Sequence, residues 1–165
     1  MRILKTFIGV GVVVAILAVC LFATSSLSGF AQTDPVIGTW KLNLAKSKFS
    51  PGPPPKSQTV TFEAVGKGLK VTIKGTDAEG KPIDWQFTAN FDGKDYPVSG
   101  NPDQDTTTLK RIDANTVEYI RKKAGKVVAT LTSAVSKDGK TRTVTEKGVN
   151  AKGEKISNTS VYDKQ

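Results

Sequence analysis

From Val36 to Lys164 apolar residues alternate with Thr, Lys and Ser at a period of two, and no window repeats at helical spacing. This pattern restricts the chain to few folds, because each segment can bury only one face of a pleated strand. Nine segments read as strands: Val36–Leu44, Gln58–Val65, Leu69–Gly75, Pro82–Phe91, Thr106–Ile112, Thr116–Lys123, Lys126–Ser136, Lys140–Lys147 and Glu154–Lys164. The residues between them, such as Gly66-Lys67-Gly68, Asp92-Gly93 and Lys137-Asp138-Gly139, are those of tight turns. Strands joined mainly by hairpins make an antiparallel up-and-down meander, and closure into a barrel removes its open edges. The expected fold is all-β, a meander of about nine strands closed into a barrel, after an N-terminal signal helix.

The leader has its own signature. Arg2 and Lys5 precede an apolar run from Phe7 to Ala23, and small and polar residues follow to Gly29-Phe30-Ala31. That is the order of a secretory signal peptide, with cleavage expected after Ala31. Two rival readings are weaker. Leu17 to Cys20 has the outline of a lipoprotein cleavage box, but Val19 is bulky where a small residue is needed. Residues 7–23 also sit at the short edge of a membrane-spanning length, so an uncleaved anchor is the alternative. Removing residues 1–31 from the 165 leaves 134, enough for one domain with a sizeable core. The expected organisation is a signal peptide at 1–31 and a barrel domain at 32–165.

Composition then removes whole classes of chemistry. The only Cys (Cys20) and the only Met (Met1) fall in the leader, and the chain has no His. The mature domain therefore offers no disulfide, thiol nucleophile, Ser-His-Asp triad or histidine-ligated metal. Most acids sit in turns, where Asp is a turn former first. Alternation turns Asp84 and Glu118 outward, opposite Trp85 and Val117. Asn101 to Asp105 (NPDQD) lacks the spacing of a recognised calcium loop. No enzyme, metal or cofactor is expected.

The net charge of +9 falls to +7 without Arg2 and Lys5. Lys dominates and is scattered without interleaved aromatics, which describes a solvated, edge-protected surface better than a nucleic-acid site.

Alternation also assigns faces. The inward set is Trp40, Leu42 and Leu44; Val60 and Phe62; Leu69, Val71 and Ile73; Ile83, Trp85 and Phe87; Leu109; Val117 and Tyr119; Val127, Ala129, Leu131 and Val135; then Ile156 and Tyr162. The second half supplies fewer bulky groups, so the interior of such a barrel either keeps room for a small ligand or closes into a solid core. Arg121 follows Tyr119 at period two and points inward if its strand is regular. The face of Arg142 is ambiguous among Thr141, Thr143 and Thr145. Inside, either guanidinium would meet a ligand carboxylate or phosphate; the cost of burying an unpaired charge favours an outward position for both.

Gly38-Thr39-Trp40 in the first strand of a meander of this length resembles the calycins, the group that contains the lipocalins and fatty-acid-binding proteins. The resemblance implies that Trp40 packs across the closed end and that Gly38 lets the chain bend into that floor. It extends loosely to Ser136–Gly148 and Asn158–Gln165, which look like the last two strands of a fatty-acid-binding protein. Calycins usually cap this Trp with a basic residue of the last strand, which here offers Lys155 and Lys164 but no Arg. Fatty-acid-binding proteins hold the ligand carboxylate with Arg and Tyr two residues apart on that strand, and here Ser160 precedes Tyr162. In place of their helix pair the chain has AKSKFSPGPPPKS, where Pro51, Pro53, Pro54 and Pro55 would stiffen a loop over the mouth, as in a lipocalin's first loop.

The reading that results is a secreted or periplasmic monomer holding a small, largely apolar ligand, with or without an anionic head group. The residues assigned to the ligand are Trp40, Phe62, Trp85, Phe87, Tyr119, Arg121, Leu131 and Tyr162. No nucleic acid is expected, and membrane contact only through the leader if it stays attached. The competing reading is a non-enzymatic interaction or inhibitory module acting from its basic outer surface or loops on envelope proteins or polyanions.

Overall fold

Ten strands, each antiparallel to its neighbours, close into a single barrel. In the computed structural model the chain is described at residues 34–150 and 152–165; the leader, its cleavage site and the anchor reading lie outside them. The strands are β1 (Gly38–Leu42), β2 (Ser57–Val65), β3 (Gly68–Thr76), β4 (Pro82–Asn90), β5 (Tyr96–Ser99), β6 (Thr106–Arg111), β7 (Thr116–Lys123), β8 (Lys126–Val135), β9 (Thr141–Val149) and β10 (Lys155–Lys164). Each pairs with the next in sequence, and β1 closes on β10 through Trp40 opposite Lys164 and Leu42 opposite Tyr162. This is the calycin-like architecture, an up-and-down closed barrel.

Three local features depart from simple alternation. The strand missing from the sequence reading is β5, whose four residues include Pro97, and it is held by two pairs to β4 and two to β6. A proline lacks the ladder N–H and weakens any strand pattern. The first strand stops at Leu42, because Asn43 caps a 3-10 turn over Leu44–Lys46 by accepting the Lys46 N–H. Leu44 is thereby turned out to solvent and does not share the inward face of Trp40.

The third departure is a bulge. Arg121 pairs with Ala129 but Lys122 pairs with Val127, so Val128 is an extra residue in β8. One extra residue reverses the face of everything before it. Val127, expected inside with Ala129 and Leu131, is 58% exposed on the outer wall.

The connections alternate between two ends, and burial follows. On β4, Ala89 and Phe87 are buried, whereas Trp85 and Ile83 are only partly so. The end carrying Trp40, Leu69, Leu109 and Val117 is filled, each full burial contributing about 1.5–3 kcal/mol. Toward the other end the core gives way to a cavity.

Candidate ligand site in the barrel interior

The floor is built around Trp40, which is fully buried and donates its indole N–H to the Val36 carbonyl at 2.7 Å. Gly38 adopts φ +121°, a conformation open to glycine, as the chain turns under the barrel. Lys164 of the last strand lies with its ammonium 5.1 Å from the centre of the Trp40 ring and 3.4 Å from the Pro35 carbonyl. The basic cap for which the sequence offered no Arg is thus a lysine. Arg111 adds an ion pair to Asp34 and lies 4.0 Å over Phe91. Trp40, also assigned to the ligand from the sequence, belongs to this packed floor and does not line the cavity.

Above the floor lies a cavity of about 710 Å³ that opens between the proline loop and the turns β3–β4, β5–β6 and β9–β10. The proline loop is pinned before it crosses the mouth: Lys48 bridges to Thr159, and the Ser50 N–H donates to Asn158 Oδ1 at 3.0 Å. Phe49, Pro51, Pro53 and Pro55 then form part of the rim.

Seven of the eight residues assigned to the ligand converge on this space: Phe62, Trp85, Phe87, Tyr119, Arg121, Leu131 and Tyr162. Trp85 and Phe87, successive inward positions of β4, stack with centroids 6.2 Å apart. Val60, Val71, Ile73 and Val144 complete an apolar wall.

Against that wall stand charges that the solvation argument had placed outside. Arg142, Val144 and Glu146 occupy alternate positions of β9 and face in, while Thr141, Thr143 and Thr145 take the other face. Arg121 remains inward because the bulge lies just beyond it. Its guanidinium meets Glu146 Oε1 at 2.6 Å, and Asn158 donates to Glu146 Oε2 at 3.1 Å, so this charge is paired. Arg121 also lies 5.8 Å from the centre of Trp85.

Arg142 is different. It is 6% exposed, and no carboxylate pairs with it among the described residues. Its Nε–H donates to Ser133 Oγ at 2.8 Å, and its guanidinium carbon lies 4.6 Å and 5.0 Å from the ring centres of Phe62 and Tyr162. The aromatic faces and the hydroxyl offset part of its desolvation. Its Nη1 makes no well-formed hydrogen bond among the described residues, and neither does the buried hydroxyl of Tyr119, which faces the guanidinium. Burial pushes the Tyr119 phenol above its ordinary value, although the positive Arg142 guanidinium facing its hydroxyl pulls the other way, so the hydroxyl stays protonated. Tyr162 is raised by burial too, and donates to Gln58 Oε1.

Glu146 and the unpartnered Gln104 Oε1, buried at the cavity edge, were not singled out from the sequence. The threonine-flanked alternation of β9 carried the signal for Glu146; for Gln104, which precedes β6, the sequence carries none. Among the described residues no group of three His, Cys, Asp or Glu could hold a metal ion.

No known family profile and no curated protein matches the chain. Among solved structures it is similar to the zebrafish ileal bile acid-binding protein complexed with cholic acid, at 11% identity and TM-score 0.49, over 79% of this chain and 99% of that one. It is also similar to the siderocalin Ex-FABP, at 12% identity and TM-score 0.46, over 79% and 71%. A redesigned β-barrel, mFAP1, bound to DFHBI follows at 12% identity and TM-score 0.44, over 79% and 95%. None of these three reaches a TM-score of 0.5, so the site described above rests on this chain's own residues.

Proposed function

We propose that this protein is an exported carrier whose barrel holds a small, largely apolar molecule with a single anionic head group. One observation carries the reading: the buried Arg142 guanidinium, to which no carboxylate pairs among the described residues, lies beside the buried Tyr119 hydroxyl in an open cavity. A buried cation without a counter-ion is costly, and a carboxylate or phosphate would accept from both groups. Phe62, Trp85, Phe87 and Leu131 would receive the apolar body. Arg121 is already neutralised by Glu146, so it serves the wall more than the head group. Nothing in the site points to catalysis; the role is binding, in the secreted or periplasmic compartment to which the leader directs it, as a monomer.

The test is native mass spectrometry of the protein purified without detergent from an exporting host, followed by solvent extraction of whatever is bound. The expected result is a reproducible adduct carrying an acidic group, lost in Arg142→Met and weakened in Tyr119→Phe. A mass without adduct, unchanged by incubation with alkyl carboxylates and phosphates, would overturn the carrier reading.

A further inference from the structure

The bulge in β8 does more than interrupt a pattern. It turns Val127 outward at the cavity end of the barrel, where Val149 of β9 is also 42% exposed. The two valines line a shallow apolar groove of about 550 Å³ on the outer wall, together with Val128, Lys147 and Lys155. Gly148 lies within it, and a Cβ there would come 2.1 Å from the Val128 carbonyl, so the two strands leave no room for a side chain at this position. The groove adjoins the mouth, because the β9–β10 turn that borders it also lines the cavity.

Charge around the groove is one-sided. Lys126, Lys147, Lys152 and Lys155 are exposed, and none forms an ion pair among the described residues. The acid of that turn, Glu154, accepts the Asn150 side-chain N–H at 2.7 Å. Across the mouth, on the β3–β4 and β5–β6 turns, the rim carries Asp77, Glu79 and Asp103, with Lys56 and Lys81 beside the first two. Apolar side chains ringed by free lysines match an anionic lipid surface, which takes up the valines between acyl chains and the ammonium groups among head groups. The rest of the rim mixes both signs, so the barrel would meet such a surface with the lysine-rich β8–β10 corner first.

We infer that the Val127–Val149 groove and its four lysines dock this barrel on an anionic lipid surface beside its open mouth. The docking surface is separate from the interior site, and it stands or falls independently of what the cavity holds.

Amide hydrogen exchange of the exported protein, read on peptides covering Lys122–Thr130 and Val149–Ser157, tests the contact locally and so reports it whether or not the leader is still attached. Vesicles of equal parts phosphatidylglycerol and phosphatidylcholine should protect both peptides, and pure phosphatidylcholine should not. Val127→Asp with Val149→Asp should abolish the protection. Lys126→Gln and Lys155→Gln should each weaken vesicle binding about fivefold, and added salt should weaken it further. Protection that is absent, that falls on other strands, or that is equal on both vesicle types would overturn the proposal. So would the same protection from soluble polyphosphate with no effect of the valine substitutions, since that outcome assigns the lysines to a polyanion.

Discussion

Arg142 stands directly across the β9–β10 ladder from Tyr162, with its guanidinium carbon 5.0 Å from the centre of the tyrosine ring. The fatty-acid-binding pattern that the sequence was compared with places Arg and Tyr two residues apart on one strand. Here the two groups sit on adjacent strands, and β10 itself carries no Arg.

That placement predicts a trade between stability and binding. Replacing Arg142 by Met removes a buried charge without a carboxylate and should stabilise the protein by about 1–3 kcal/mol. The same change should weaken an anionic amphiphile about tenfold or more. Urea unfolding and ligand titration on the same samples measure both; a loss of stability would make Arg142 a structural group.

Glu146 neutralises one of the two interior cations. Glu146→Gln leaves Arg121 without its partner and raises the positive potential of the cavity, so anionic ligands should bind about tenfold more tightly, with little change for neutral ones. Isothermal titration with a matched carboxylate and alcohol would separate these effects.

Trp40 should behave as floor and nothing else. Trp40→Ala is expected to cost about 3–5 kcal/mol in urea unfolding, whereas Trp40→Phe, which keeps most of the volume but loses the hydrogen bond to Val36, should cost about 1–2 kcal/mol. Ligand affinity of the folded Phe variant should equal that of the wild type.

Stability should fall at both ends of the pH scale. The Asn43 and Lys46 side chains hydrogen-bond Asp163, and the Ala124 N–H and Lys123 do the same for Asp105, holding both carboxyls below their ordinary 3.8. Folded values below the unfolded one mean that their contribution is present above 3.8 and is lost as pH falls through the folded values. Tyr119 and Tyr162 lie above 10.0 because of burial, so their contribution is full below that pH and is lost as it rises through the folded values. Melting temperature should be flat between about pH 5 and pH 9. Asp163→Asn should flatten the acid limb and leave the alkaline limb intact.

The bulge offers a packing test. Gly148→Ala would place a methyl group against the Val128 carbonyl and Ala129, and overpacking of this kind costs about 1–3 kcal/mol. Chemical denaturation measures it, and a neutral result would mean that the strands can separate there freely.

Much of the barrel was legible because a period of two survives translation into structure almost unchanged. Trp85 and Phe87, or Leu69, Val71 and Ile73, could be placed inside from spacing alone, since nothing interrupts β3 or β4. Where the backbone adds or drops a residue, spacing misleads: Val128 reverses Val127, and the Asn43 cap turns Leu44 away. The interior charges were hidden for an energetic reason. A general rule against burying guanidinium groups favours the outside for Arg121 and Arg142, and only the three-dimensional neighbours Glu146, Ser133, Phe62 and Tyr162 make the inside tolerable. Those neighbours come from strands distant in sequence, which no local window contains.

Because the number of strands is even and β1 lies against β10, the described chain enters and leaves the barrel at the floor, where Lys164 reaches the Pro35 carbonyl and the Gln165 N–H donates to Thr39. The order of the strands around the ring therefore carries more of the architecture than the place where the chain is cut. A short linker joining the floor ends, with a new break in the exposed Ala124-Gly125 turn, should yield a circular permutant that folds to the same barrel with its termini moved to the mouth.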